Sequence, residues 1–281
     1  MDKKINSDNR NFQLGIDIGS TTVKLALMDH EGSLVYSRYR RHYSDIWKSL
    51  DDSLREIEPL PGDAGFTTAI TGSGGLAVSE KLGLPFVQEV IAGNRAVKHF
   101  IPDVSVIIEL GGEDAKITFF DHGVDQRMNG ICAGGTGAFI DQMAALLNTD
   151  ASGLDKLAEN HSVIYPIAAR CGVFAKTDIQ PLLNEGARKE DIAASIFQAV
   201  VNQIIGGLCC GRKIKGKVGF LGGPLHFLPQ LRLRFKETLG LKDNDMAVPD
   251  TAEVYVAIGA ALASQNQGSG IVTVRELLDW I

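Results

Sequence analysis

One pattern occurs twice and constrains the fold more than any other feature of the chain: an apolar strand, a polar glycine-bearing turn, and a second apolar strand. Residues 13–27 read QLGIDIGSTTVKLAL, in which Leu14, Ile16 and Ile18 alternate with Gly15, Asp17 and Gly19. Val23, Leu25 and Leu27 then alternate with Lys24 and Ala26. A period of two belongs to strands, whose successive side chains face opposite ways. Between the strands Gly19, Ser20, Thr21 and Thr22 form a tight turn whose hydroxyls and N–H groups suit phosphate. Asp17 stands just before it, where a carboxylate either positions Mg²⁺ or a water, or merely caps the turn. Residues 104–120 repeat the pattern, with VSVIIEL as a buried strand, Gly111, Gly112, Glu113 and Asp114 as the turn, and a second strand at 115–120. Two copies imply two similar α/β lobes with a cleft between them, across which Glu109 and Asp114 face Asp17. Three carboxylates around a nucleotide suit Mg²⁺, which takes a few oxygen ligands with water and phosphate. Glu113 reads as solvent-facing.

The stretch 128–141, MNGICAGGTGAFID, adds a thiol to this chemistry. Cys132 stands just before a glycine-rich turn, Gly134, Gly135, Thr136 and Gly137, which runs into apolar residues at helical spacing over 139–147. A glycine turn that opens a helix offers unpaired N–H groups and a positive dipole end to an anion. An anion cradle and a thiolate ligand would then share one helix start. A second cysteine, Cys171, lies in IYPIAARCGVF at 164–174. The strand at 218–221 is followed by Gly222, Gly223 and Pro224, a place for an adenosine ring to lie against backbone. His226 beyond it reads as a packing or ring-stacking residue. Cys209 and Cys210, adjacent at a helix end, read as structural. Gly72, Ser73, Gly74 and Gly75 close a short strand at 66–71 and read as a loop.

The remaining pattern predicts a third strand at 34–38 and helices near 44–57, 76–82, 87–100, 154–160, 191–207 and 227–238. A small-residue helix at 254–263 is suited to close packing. Residues 264–270, SQNQGSG, look like a linker, and 271–281 like the start of a further segment. The expected organisation is a first lobe at 11–100 with the helix near 254–264 packing back on it, then a second lobe at 101–253 carrying the cysteines. Residues 265–281 would lead onward.

Composition excludes several classes. The net charge of −6 and the lack of Lys/Arg clusters argue against nucleic acid as a partner. The start, MDKKINSDNRNFQ, is polar and carries no signal core, and no apolar run is expected to approach the ~20 residues of a membrane helix. A cytoplasmic protein is expected, with its four cysteines as thiols or metal ligands rather than disulfides.

The motifs DIGST (17–21), GGED (111–114) and FLGGP (220–224) resemble the two phosphate motifs and the adenosine motif of the acetate-kinase, sugar-kinase, heat-shock ATPase and actin superfamily. Within it, NGICAGGTGAFID and ARCGVFAKTDI resemble the ATPases that activate 2-hydroxyacyl-CoA dehydratases and the related benzoyl-CoA reductase ATP-binding subunits. The resemblance implies two ribonuclease-H-like lobes with ATP or ADP and Mg²⁺ in the cleft. It also implies a homodimer with one 4Fe–4S cluster on its axis, held by two cysteines of each subunit, which Cys132 and Cys171 match. Such a protein passes a low-potential electron from ferredoxin or flavodoxin to a dehydratase- or reductase-type acceptor. A cubane needs four thiolates, and a chain with two supplies four through a two-fold axis. Two departures stand out. GED replaces the GQD common in relatives, and GGPLHFLPQL at 222–231 is closer to long, multi-domain activase-like members. A small-molecule kinase of the sugar type and an ATP-switched binding module are the alternatives.

Overall fold

The computed structural model describes residues 12–58, 65–129, 134–168, 171–265 and 270–281. They form two compact units, one built from the chain up to Pro102 together with Val254–Ile281, the other from Asp103–Glu253.

In the first unit β1 (Phe12–Ile18), β2 (Thr22–Met28) and β3 (Leu34–Arg41) run antiparallel in sequence. Helix α1 (Ile46–Ile57) crosses over to β4 (Phe66–Thr71), which lies parallel to β1, giving the order β3-β2-β1-β4. Helices α2 (Gly75–Leu82) and α3 (Glu89–Phe100) follow. Asp45 caps α1 by accepting the Lys48 N–H at 3.1 Å, and Leu50, Leu54 and Ile57 on its apolar stripe are fully buried.

The second unit repeats the scheme. β5 (Val106–Leu110), β6 (Ala115–Phe119) and β7 (Asp125–Met128) are antiparallel. There follow α4 (Gly137–Leu146), α5 (Ala151–Ala158), α6 (Gly172–Asn184) and α7 (Lys189–Leu208). β8 (Val218–Leu221) then returns parallel to β5, as β4 does to β1. Short α8 (Gly223–Phe227), α9 (Pro229–Leu239) and a last strand β9 (Met246–Ala247) complete the order β7-β6-β5-β8-β9. Helix α7, at 20 residues, is long and apolar enough to cross a membrane, which corrects the expectation that no run approaches that length. Its composition has another cause: Ile192, Ile196, Phe197, Val200, Val201 and Ile204 form part of the second unit's core.

The chain finally returns to the first unit. Helix α10 (Tyr255–Ser264) lies on β1 and α3 so closely that a Cβ on Gly15 would sit 1.8 Å from the Ala257 carbonyl, and one on Gly259 1.8 Å from that of Ala92. This second layer is why β1 is buried on both faces. Residues 271–281, expected to open a further segment, lie in the same unit. Val272 exchanges backbone hydrogen bonds with Phe66, and α11 (Val274–Trp280) adds Val274 and Leu277 to its core.

Asp155 on α5 caps α9 from a neighbouring helix, accepting the Gln230 N–H at 2.9 Å while only 5% exposed. Burial pushes its carboxyl up to about 6. In the unfolded chain the group ionises near pH 4. Between about 4 and 6 the folded state therefore binds more protons, and stability falls as pH rises through that window. Asp155→Asn keeps an acceptor for Gln230 without the charge. Its melting temperature should lose that pH dependence and rise at pH 7 by the equivalent of on the order of 1 kcal/mol. A thermal-melt series from pH 4 to 8 checks this, and parallel curves for the two proteins would refute it.

Candidate functional site

In the first unit the 19–22 turn is closed by the Gly19 N–H donating to the Thr22 carbonyl at 2.9 Å. Ser20 is exposed, Thr21 half-buried and Thr22 buried. Asp17, one residue from the end of β1, is 2% exposed and lies 2.7 Å from Nζ of Lys24. The antiparallel register pairs Asp17 with Lys24, which places both on one face of the sheet. On the other side Asp17 is aligned with Thr71 of β4, fully buried, whose hydroxyl has no hydrogen-bond partner among the described residues. Gly72 follows with φ +98°, and a Cβ there would sit 2.3 Å from the Ile18 carbonyl and 2.4 Å from Asp17 Oδ1. Only glycine combines that dihedral with that approach.

The second unit builds the same arrangement at the same register. Glu109 of β5 pairs with Lys116 of β6, as Asp17 does with Lys24. Lys116 is 6% exposed, with Nζ 2.6 Å from Asp114 and 3.7 Å from Glu109. Glu113 is exposed. After β8, Gly222 takes φ +89°, and its absent Cβ would lie 2.1 Å from the Leu110 carbonyl. Gly222 thus stands to β5 as Gly72 stands to β1.

Within this unit three glycine segments converge. The N–H groups of Gly137 and Ala138 donate to the carbonyls of Gly111 and Gly112 at 3.0 and 2.7 Å. A Cβ on Gly137 would meet the Gly111 carbonyl at 3.1 Å and Pro224 at 3.3 Å. Gly134, Gly135 and Thr136 are buried, and Gly135, with φ +81°, lies against Gln203 of α7. This departs from the expectation of unpaired N–H groups at this helix start. Two of them tie α4 to the 111–114 turn, so any displacement of that turn pulls directly on α4. Gly223 opens α8 and is buried with Leu225.

Cys132 lies outside the described residues. Cys171 is half-buried at the N-terminal end of α6, in extended conformation, and its carbonyl accepts the Ala175 N–H at 2.9 Å. Gln142 of α4 touches this helix start, its Oε1 standing 3.2 Å from where a Cβ of Gly172 would be. Beyond it Val173 and Phe174 are 71% and 64% exposed. Among the described residues no group of three or more His, Cys, Asp or Glu side chains is arranged to hold a metal ion. Cys209 is buried and Cys210 exposed at the end of α7, where Arg127 donates to the Cys209 carbonyl at 2.7 Å. His226 Nδ1 lies 3.1 Å from Glu253 and its ring meets Phe227 edge-on.

Lys24, Lys116 and Thr71 escape sequence reading as site residues, and Gly72 reads there only as part of a loop. Each is set by strand register, and only the spacing hinted at it, since both lysines stand seven residues after their acid.

Two sheets that share the order of their first four strands, each with an acid–lysine pair and a glycine turn packed on the end of its first strand, make up the two lobes of the actin-like fold. The chain belongs to the BadF/BadG/BcrA/BcrD ATPase family, matching it over residues 14–264. It is 28% identical over 260 residues to the 2-hydroxyisocaproyl-CoA dehydratase activator of Clostridioides difficile, covering 89% of this chain and 94% of that protein. It is 30% identical over 200 residues to the (R)-2-hydroxyglutaryl-CoA dehydratase activating ATPase of Acidaminococcus fermentans, covering 69% of this chain and 76% of that one. The crystal structure of component A of the (R)-2-hydroxyglutaryl-CoA dehydratase from A. fermentans superposes with a TM-score of 0.81 at 26% identity, covering 91% of this chain and 98% of that one.

Proposed function

We propose that this chain is an ATP-hydrolysing activator that delivers a low-potential electron to a 2-hydroxyacyl-CoA dehydratase- or benzoyl-CoA reductase-type enzyme. The reading rests above all on Cys171, a half-buried thiol at a helix start touched by α4, the helix that Cys132 precedes in sequence. Exposed Val173 and Phe174 beside it suit a surface covered by a second copy of the chain. The donor set fits a 4Fe–4S cluster held by Cys132 and Cys171 with the same pair of a second subunit. When bound, that cluster supplies a one-electron centre of low potential; ferredoxin or flavodoxin is the proposed donor, and the cytoplasm the proposed setting.

The nucleotide is assigned to the glycine turns. Gly19, Ser20, Thr21 and Thr22 of the first unit and Gly111, Gly112, Gly134, Gly135 and Thr136 of the second take the phosphates, while Gly137, its N–H committed to the Gly111 carbonyl, braces that turn. Gly222, Gly223 and Pro224 take the adenosine. Asp17, Glu109 and Asp114 hold Mg²⁺ and orient the attacking water, a task of positioning and charge neutralisation. Their donor chemistry suits the ion, and Lys24 and Lys116 balance the carboxylates with cationic charge. The orphaned Thr71 hydroxyl beside Asp17 fits a position completed by a ligand oxygen. Because α4 is bonded to the 111–114 turn, loss of a phosphate there would move α4, and with it the contact from Gln142 to the start of α6.

The test is iron and sulfide per chain in protein purified without oxygen, beside Cys171→Ala. About two irons per chain are expected, one four-iron cluster per dimer, and their loss in the variant. No iron after reconstitution would leave an ATPase fold with thiols, to be screened for kinase substrates.

A further inference from the structure

We propose that His42 is a positioning residue for the 19–22 turn, shaping it from behind so that it presents Ser20 to a phosphate. The inference rests on the nucleotide reading above and concerns a residue that none of the phosphate or cysteine motifs contains. His42 directly follows β3 and is 7% exposed. Its backbone N–H donates to the Thr21 carbonyl at 3.1 Å, and its Nε2 stands 3.2 Å from the Gly19 carbonyl. Nδ1 accepts the Ser44 N–H at 3.0 Å. An imidazole nitrogen that accepts carries no proton, so the proton sits on Nε2, and Nε2–H is the donor to Gly19.

The consequence for the turn is geometric. Across a planar trans peptide the carbonyl and the following N–H point in opposite directions. No peptide bond among the described residues is cis, so drawing the Gly19 carbonyl onto His42 turns the Ser20 N–H away from it, and Ser20 is the exposed residue of the turn. Gly19's own N–H is already committed to Thr22. His42 therefore selects which face of the first peptide in the turn an anion meets.

The backbone beyond His42 shows what this arrangement requires. Tyr43 and Ser44 have φ of 44° and 68°, two consecutive residues with side chains in the left-handed region. Such strain persists only where the surroundings over-determine it. Burial of the Tyr43 ring cannot be the reason, because the residue is 84% exposed. What the reversal does achieve is to bring the Ser44 N–H back onto His42 Nδ1, and the Asp45 N–H onto the His42 carbonyl at 2.7 Å. The strained pair thus holds the ring in the tautomer that donates to Gly19.

The experiment compares the wild-type chain with His42→Leu and His42→Gln, measuring KM and kcat for ATP and the melting temperature. Leucine fills the space without a donor, whereas the glutamine amide both donates and accepts. His42→Leu should raise KM about tenfold, the worth of one hydrogen bond to bound phosphate, with kcat within about twofold. His42→Gln should restore most of that loss. Equal KM in all three proteins would overturn the proposal. So would a melting-temperature drop in both variants with KM unchanged, which would make His42 a structural residue only. If His42→Leu does not fold, His42→Asn, too short to reach Gly19, replaces it in the comparison. A wild-type chain that neither binds nor hydrolyses ATP would instead sink the nucleotide reading, and this inference with it.

Discussion

On the proposed function, Asp114→Asn should lower ATP turnover by about 10²–10³-fold, the cost of removing one preorganised charged group from a transition state, while melting temperature and any iron content stay at wild-type values. The reasoning starts from Lys116, which is buried between two carboxylates, at 2.6 Å from Asp114 and 3.7 Å from Glu109. Neutralising Asp114 leaves the ammonium with Glu109, so no uncompensated buried charge is created. Asp114 is also the more open of the two, its side chain 36% exposed against 17% for Glu109. The variant therefore separates chemistry from folding. The corresponding change at Asp17 does so less cleanly, because that carboxylate is almost wholly buried on Lys24. Turnover comes from phosphate release, stability from a thermal melt, and iron from anaerobically purified protein. Iron lost together with turnover would mean that the nucleotide and cysteine sites are not separable, and unchanged turnover would remove Asp114 from the reaction.

The second large effect concerns packing. Gly259→Ala places a methyl group 1.8 Å from the Ala92 carbonyl, a distance that two helix backbones relieve only by moving apart. Overpacking of this kind costs about 3 kcal/mol, and the melting temperature should fall by roughly 6–12 °C. Gly93, on α3 one residue beyond Ala92, provides the control, since nothing lies within 4 Å of its Cβ position. Gly93→Ala should gain up to about 1 kcal/mol from helix propensity. Equal melting temperatures for the two variants would show that α10 and α3 tolerate separation and that the close approach is not needed.

The repeated strand–turn–strand was legible because it rests on two local signals, period-two alternation and glycine, that survive without tertiary context. The α/β class and the pair of lobes follow from it. The glycine segments of the candidate site were legible for the same reason, but their mutual contacts were not. Gly137 meets Gly111 and Pro224 only because α4 and β8 are brought to the end of β5, which no spacing in the sequence encodes. Lys24 and Lys116 read as ordinary polar positions in alternating strands until the register places each opposite an acid. Helix α6 was obscured by Pro181 inside it and by the largely apolar run before it, which only Arg170 interrupts. β7, with the sequence DQRM, is a polar edge strand without alternation. Val272 pairs with Phe66 across some two hundred residues of chain, a partnership invisible beside a stretch that looks like a linker.

The way the chain divides between its units bears on how the protein is made. The second unit is one uninterrupted segment, whereas the first takes its two last helices from residues after Val254. On the ribosome the first unit's strands emerge early, but the face of β1 that carries Gly15 has no cover until α10 leaves the exit tunnel. The half synthesised second can thus complete its core first, while the half synthesised first waits with an open sheet. A nascent-chain protease assay should find the order of protection reversed relative to the order of synthesis.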